Sequence, residues 1–136
     1  IPYDRFLRIW NEIFIFSHEN SVVYELLKKL KPRYAIAMLS NTNEPHYSYL
    51  KKNYPIFDPF HYLFASHELG MVKPDSRIYS YVLSVMQKVP GEVFYIDDRP
   101  EMVKAACALG IRGFVYTCSF QLYKDLDSCG VAAALK

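Results

Sequence analysis

Short apolar runs alternate with helical segments along most of this 136-residue chain. The clearest runs lie at residues 34–39, 62–65, 93–96 and 113–116, and their length suits buried strands better than helices. Strands that alternate with helices indicate an α/β fold with a parallel sheet. In such folds the ligand binds at the carboxyl ends of the strands.

The helices are predicted from apolar residues at helical spacing and from residues that start or stop a helix. Asn20 or Ser21 can cap the second helix, which Pro32 stops, and Gly110 is the predicted stop of the helix before the last strand. Helices are predicted over about residues 3–15, 22–30, 44–52, 76–88, 100–109 and 120–126.

The composition indicates one soluble globular domain or a piece of one. Hydrophobic residues make up 51% of the chain and charged residues 22%, and the net charge of +2 is too small to suggest a nucleic-acid or membrane surface. The partner is therefore expected to be small. The three cysteines are widely spaced and lack a C-x-x-C pattern, so neither disulfides nor a thiolate zinc site is predicted and a reducing, cytoplasmic compartment is favoured.

Polar residues follow the first predicted strand. The segment LSN at residues 39–41 places Ser40 and Asn41 at the strand end, directly before a helix. A hydroxyl and turn amides there can bind an anion, which a helix N-terminus also favours. The alternative is that these residues form a turn and cap the helix, as their types commonly do.

A lysine and a pair of acids stand at two further loops. Lys73 precedes Pro74 and can neutralise a phosphate and a carboxylate together, although most loop lysines are simply solvated. Asp97 and Asp98 follow the run at 93–96, where two carboxylates suit a hard cation such as Mg²⁺. The alternative is that one of them caps the helix that Pro100 begins.

Together, these segments resemble the second, third and fourth motifs of the haloacid dehalogenase superfamily, in order and in spacing. The resemblance spans about residues 21–116, through LSNTNEPH, SHELGMVKPDSRIY and FYIDDRPEMVKAACALGIRGFVY. It implies a Rossmann-like parallel sheet with helices on both faces, in the branch with a small helical cap. Residues 1–18 would be a remnant of that cap and its linker, and residues 19–136 the C-terminal part of the core domain.

The resemblance also implies a role for each residue. Ser40 would hydrogen-bond the phosphoryl group with support from Asn41, and Lys73 would balance the charge between nucleophile and phosphate. Asp98 would hold Mg²⁺ directly or through water, and Asp97 would position Lys73 or the waters of the metal. The implied reaction is hydrolysis of a small phosphorylated metabolite through an aspartyl-phosphate.

The chain departs from the family at the first motif, an apolar strand ending in Asp-x-Asp that supplies the nucleophile and the general acid. The only Asp-x-Asp, at residues 125–127, lies in a segment that fits a terminal surface helix. In the family the first strand is central, between those leading to Ser40 and Asp98. We therefore expect a longer parent to supply it and this chain alone to be inactive. Met102 stands where relatives often carry an outer-shell ligand, and a thioether binds magnesium poorly.

Two other functions stay open. Dehalogenation of haloacids is the activity that names the superfamily, but that branch lacks the metal and typically replaces the paired acids, so Asp97 and Asp98 favour phosphate. A noncatalytic domain that keeps the fold for binding or assembly is the other alternative, because the chain has no candidate nucleophile in the expected place. The first motif of the parent would separate these functions.

Overall fold

The computed structural model describes residues 18–53 and 55–131. The helix predicted at residues 3–15 lies outside this range, and the proposed boundary between residues 18 and 19 falls at its edge, so both stay predictions. Among the described residues no helix is long and apolar enough to cross a membrane. The helices are α1 (His18–Leu30), α2 (Glu44–Asn53), α3 (Ser66–Leu69), α4 (Ser76–Met86), α5 (Pro100–Cys107) and α6 (Ser119–Ser128), with 3₁₀ turns at Pro55–Phe57 and Pro90–Glu92.

The four strands lie where the apolar runs predict them. They are β1 (Ala37–Ser40), β2 (Tyr62–Ala65), β3 (Phe94–Asp97) and β4 (Arg112–Val115). β2 has the predicted bounds, whereas the other three are displaced by one to three residues. The expectation that β1 and β3 are buried strands is wrong, because each of their residues is only partly buried.

The strands form two separate parallel pairs, and this pairing explains the partial burial of β1 and β3. β1 pairs with β2 in the register Ala37 to Tyr62, and β3 pairs with β4 in the register Phe94 to Arg112. Within the described residues β1 is not hydrogen-bonded to β3. Each of these two strands therefore keeps one edge whose backbone groups no described strand satisfies. This is the arrangement expected if a central strand belongs between them.

Helices pack on both faces of the second strand pair. On one face, four leucines of α1 and α6 form a buried cluster that Phe94 and Ile96 contact. On the other face, residues of α4 and α5 form a second buried cluster that Tyr95 contacts. Successive residues of β3 thus serve opposite faces, as a pleated strand requires. The clusters consist of Leu26, Leu30, Ile36, Leu122 and Leu126 on the first face, and of Ile78, Tyr79, Ala106 and Ile111 on the second.

Helix ends differ from the sequence expectation at several points. Residues 18–30 are helical, so Asn20 and Ser21 lie inside α1 rather than at its cap. Capping residue types also occur within first turns, so such a pattern locates a helix start only to within a few residues. α4 ends two residues early, where Gln87 adopts a left-handed conformation with φ 55°. The N-cap of α4 is Asp75, whose side chain accepts a hydrogen bond from the Arg77 amide.

The Asp-x-Asp at residues 125–127 lies in the last helix, α6, as predicted. Leu126 is buried in the first cluster, whereas Asp127 is exposed. The side chain of Asp125 accepts a hydrogen bond from the side chain of Gln121, one turn earlier in the same helix. These two aspartates therefore belong to a surface helix.

Close packing of β4 on α5 makes Gly113 sensitive to substitution. A Cβ atom there would lie 2.8 Å from Cys107 Sγ and 3.0 Å from Val103 Cγ1. Overpacking of this kind costs about 1–3 kcal/mol, more than the roughly 0.4–1 kcal/mol gained by removing glycine from the unfolded chain. We therefore expect Gly113→Ala to lower the free energy of unfolding of the intact protein.

The matched control is Gly91→Ala, because a Cβ atom at Gly91 meets no atom within 4 Å. Urea unfolding of both variants measures the difference. If Gly113→Ala is at least as stable as Gly91→Ala, the close packing of β4 on α5 is contradicted.

Candidate active site

The carboxyl ends of β1 and β3 border a cleft of about 350 Å³. Three chain segments meet there: the end of β1, the loop before α4, and the end of β3 with the start of α5. All five site residues predicted from sequence line the cleft, although their chemical roles stay predictions. The lining residues are Leu39, Ser40, Asn41, Lys73, Asp97, Asp98, Arg99 and Met102.

A second, larger cleft of about 480 Å³ lies at the opposite ends of β1 and β2. It is lined by residues 31–35 together with His61 and Tyr62, and it holds none of the predicted site residues. Because ligands of parallel α/β folds bind at the carboxyl ends of the strands, the smaller cleft is the candidate site.

Lys73 and Asp97 form an ion pair in the candidate cleft. Lys73 Nζ lies 2.5 Å from Asp97 Oδ2, and the two side chains are 10% and 7% exposed. The same carboxylate oxygen accepts a hydrogen bond of 2.8 Å from the Tyr95 hydroxyl, and Oδ1 accepts one of 3.0 Å from the Arg99 amide. Charges this shielded from water need such partners, and these three donors hold Asp97 in place.

Asn41 anchors the backbone of Lys73. Its Nδ2 donates to the Lys73 carbonyl over 3.0 Å, and its Oδ1 accepts from the Lys73 amide over 2.9 Å. Asn41 therefore links the end of β1 to the lysine loop, which neither the anion-binding nor the helix-capping expectation included. Ser40, by contrast, lines the cleft without a hydrogen bond from its hydroxyl to any residue in the described ranges.

Ser66 fixes the turn that follows Asn41. Its hydroxyl accepts a hydrogen bond of 3.0 Å from the Thr42 amide and donates one of 3.1 Å to the Thr42 carbonyl. Ser66 is 6% exposed and starts α3, so the loop after β1 is bound to the element after β2. Sequence reasoning missed this contact, because a serine at a helix start is typical of a cap and carries no sign of a distant partner.

The Tyr95 contact was also missed, although the sequence holds a signal for it. Tyr95 and Asp97 are two residues apart in a strand, and such residues point to the same face. A tyrosine two positions before a strand-end aspartate can therefore reach its carboxylate. Burial raises the pKa of Tyr95, so its hydroxyl remains a donor.

The two adjacent aspartates have opposite pKa shifts. Burial pushes the pKa of Asp97 upward, but hydrogen bonds from Lys73, Tyr95 and the Arg99 amide outweigh burial and lower it overall. The pKa of Asp98 is raised, first by a side-chain hydrogen bond with Asp97, then by burial and by charge repulsion from Asp97. A cation at Asp98 would relieve this repulsion.

The cap expected at the start of α5 is not made by either aspartate. Arg99 is the N-cap residue of α5, and no side chain caps that position. The Arg99 guanidinium instead forms an exposed ion pair of 2.8 Å with Glu101. Asp98 lines the cleft and is exposed.

The residues of the cleft fit a magnesium ion. Magnesium takes oxygen ligands and often only one or two protein carboxylates, with water and phosphate completing the shell. The described residues contain no group of three or more acidic, histidine or cysteine side chains that could enclose a metal. Asp98, with its raised pKa, is the carboxylate that this part of the chain offers, whereas the oxygens of Asp97 already accept three hydrogen bonds.

The chain belongs to the haloacid dehalogenase-like hydrolase family, whose model matches residues 6–110. It is 34% identical over 102 residues to the sesquiterpene phosphatase astK of Aspergillus oryzae, covering 74% of this chain and 52% of that protein. It is also 27% identical over 93 residues to a D-ribitol-5-phosphate phosphatase of Bacteroides thetaiotaomicron, covering 62% of this chain and 44% of that protein. The match thus spans about half the length of each of these two relatives.

Solved structures place the fold in the same family. A haloacid dehalogenase family enzyme from Bacteroides thetaiotaomicron, crystallised with magnesium and inorganic phosphate, superposes with a TM-score of 0.68 at 33% identity. The match covers 72% of this chain and 52% of that one. The predicted family and its Rossmann-like α/β fold are therefore confirmed.

The Ser66 contact leads to a stability prediction. Ser66→Ala removes both hydrogen bonds to Thr42 and leaves the backbone groups of Thr42 without that partner. Such a loss costs about 1–3 kcal/mol. We expect urea unfolding of the intact protein to show a loss of this size, and little change for Ser84→Ala, because Ser84 is an exposed serine of α4. A Ser66→Ala variant as stable as Ser84→Ala would show that the hydroxyl does not hold the loop.

Proposed function

We propose that this chain forms part of a Mg²⁺-dependent phosphatase that hydrolyses a small phosphorylated metabolite through an aspartyl-phosphate. The observation that carries the proposal is the Lys73–Asp97 ion pair, which lies beside Ser40 and Asp98 in one strand-end cleft. Relatives named as phosphatases support the reaction class, and the magnesium complexes of a related enzyme support the cofactor. A cytoplasmic location stays a prediction.

Lys73 supplies positive charge to the phosphoryl group. Of its three N–H donors one is used by Asp97, so two remain for a bound anion and a nucleophile. Ser40 Oγ, free of hydrogen bonds to the described residues, donates to a phosphate oxygen. Asn41 acts through Lys73, whose backbone it holds. Fixed donors of this kind stabilise charge that develops in the transition state.

Asp98 would hold Mg²⁺, whereas Asp97 orients Lys73 and would position waters of the metal. When bound, the metal neutralises charge on the phosphate and aligns it for in-line attack. The two neighbouring aspartates thus have different roles, Asp97 toward Lys73 and Asp98 toward the metal. The opposite directions of their pKa shifts support this division.

The nucleophile belongs to a segment of the protein other than the described residues. Within those residues the only carboxylates at the cleft are Asp97 and Asp98. The open edges of β1 and β3 provide a place for a central strand, and the relatives are about twice as long as the matched region. A strand ending in Asp-x-Asp between β1 and β3 would bring its carboxylates to the same cleft. We propose that the protein is inactive without that strand.

The test of the reaction is hydrolysis of an aryl phosphate by the intact protein, with and without Mg²⁺. We expect turnover that chelation abolishes, and a loss in kcat of about 100-fold or more in Lys73→Ala, since removal of one charge stabiliser commonly has this effect. Lys88→Ala is the matched control, because Lys88 is an exposed lysine outside the cleft. No turnover of any phosphate ester, together with a first motif lacking its aspartate, would instead favour a noncatalytic binding domain.

The proposed metal role of Asp98 has a separate test. Asp98→Asn keeps the size of the side chain but removes the charge that attracts Mg²⁺. We expect the Mg²⁺ concentration for half-maximal activity to rise about tenfold or more, as it does when a metal site loses a supporting group. Asp127→Asn, an exposed residue of α6, is the control. An unchanged Mg²⁺ requirement in Asp98→Asn would assign the metal to other ligands.

A further inference from the structure

Tyr95 connects the second buried cluster with the charged site. Its ring contacts the second buried cluster and meets the ring of Tyr79 edge-on, with centroids 5.6 Å apart and planes at 85°. Its hydroxyl donates to Asp97 Oδ2, the oxygen that also binds Lys73.

The two donors on Asp97 Oδ2 differ in rigidity. Lys73 reaches the oxygen through a flexible four-carbon stem, so its ammonium takes its position from the carboxylate. Tyr95 has two side-chain torsions, and its ring is held by the packing around it. Of the hydroxyl, the carboxylate and the ammonium, the Tyr95 hydroxyl is therefore held most rigidly and the Lys73 ammonium least rigidly.

We propose that Tyr95 is a positioning residue that holds Asp97 Oδ2 in place and, through it, aims the Lys73 ammonium into the cleft. The two oxygens of the Asp97 carboxylate have different donors. The Arg99 amide donates to Oδ1, whereas the Tyr95 hydroxyl and the Lys73 ammonium both donate to Oδ2. Without the hydroxyl, Oδ2 is bound only by the flexible lysine. The ammonium then samples a wider range of positions, and small displacements at a catalytic charge are costly to rate. The kinetic part of this inference rests on the proposed phosphatase activity.

The kinetic test is Tyr95→Phe, which keeps the ring and removes the hydroxyl. We expect kcat of the intact protein on an aryl phosphate to fall by about tenfold with KM changed by less than about twofold, because positioning acts on the transition state more than on binding. In a Lys73→Ala background the same substitution should have almost no effect, since the group that it positions is gone. A full tenfold loss in both backgrounds would show that Tyr95 acts on something other than Lys73.

The control is Tyr79→Phe. Tyr79 lies in the same buried cluster, but its hydroxyl donates to the Met102 carbonyl over 2.8 Å rather than to Asp97. We expect this variant to lose stability, by about 0.5–1.5 kcal/mol for one hydrogen bond, with kcat unchanged. Comparison of Tyr95→Phe with Tyr79→Phe therefore distinguishes an effect of lost core stability from an effect of lost Lys73 positioning.

A measurement that does not depend on enzyme activity tests the positioning role of Tyr95 separately from the proposed phosphatase function. The ¹⁵N relaxation of the Lys73 ammonium, assigned by its disappearance in Lys73→Arg, reports how well the group is held. We expect its order parameter to fall in Tyr95→Phe and to stay at the wild-type value in Tyr79→Phe. An unchanged order parameter in Tyr95→Phe would overturn the positioning role, whether or not the protein hydrolyses phosphate esters.

Discussion

A chain of polar contacts centred on Lys73 connects the two halves of this molecule. β1 and β3 share no backbone hydrogen bonds within the described residues, so the two strand pairs are not joined as one sheet there. Asn41, after β1, instead binds the backbone of Lys73, and the side chain of Lys73 binds Asp97 at the end of β3. Lys73 is therefore bound from both sides of the cleft.

The same contacts explain why the charged side chains of Lys73 and Asp97 can be so little exposed to solvent. Lys73 and Asp97 are almost fully shielded, which is unfavourable for either charge alone. The pair is supported by the Tyr95 hydroxyl, the Arg99 amide and the side chain of Asn41. A buried pair with so many partners is better explained by a need for a positioned charge than by stability, since buried ion pairs often add little to stability.

Family membership and geometry carry different parts of the functional argument. The family match defines the class of hydrolase, and the related phosphatases narrow the reaction that we propose. The geometry adds what the match does not contain: Asn41 binds the backbone of Lys73, Ser66 binds the backbone of Thr42, and the Tyr95 hydroxyl binds Asp97. Each of these contacts joins two residues that the sequence pattern does not pair with each other.

The sequence by itself determined the order of strands and helices, the parallel α/β class and the set of polar residues at the strand ends. These depend on local periodicity, so β2 and the start of α4 at Ser76 appear where they are predicted. Only the tertiary structure decided the partners of those polar residues, because contacts such as Asn41 with Lys73 join positions 32 residues apart. It also decided the partial burial of β1 and β3, since an apolar run shows that a strand has neighbours but not which strand lies beside it.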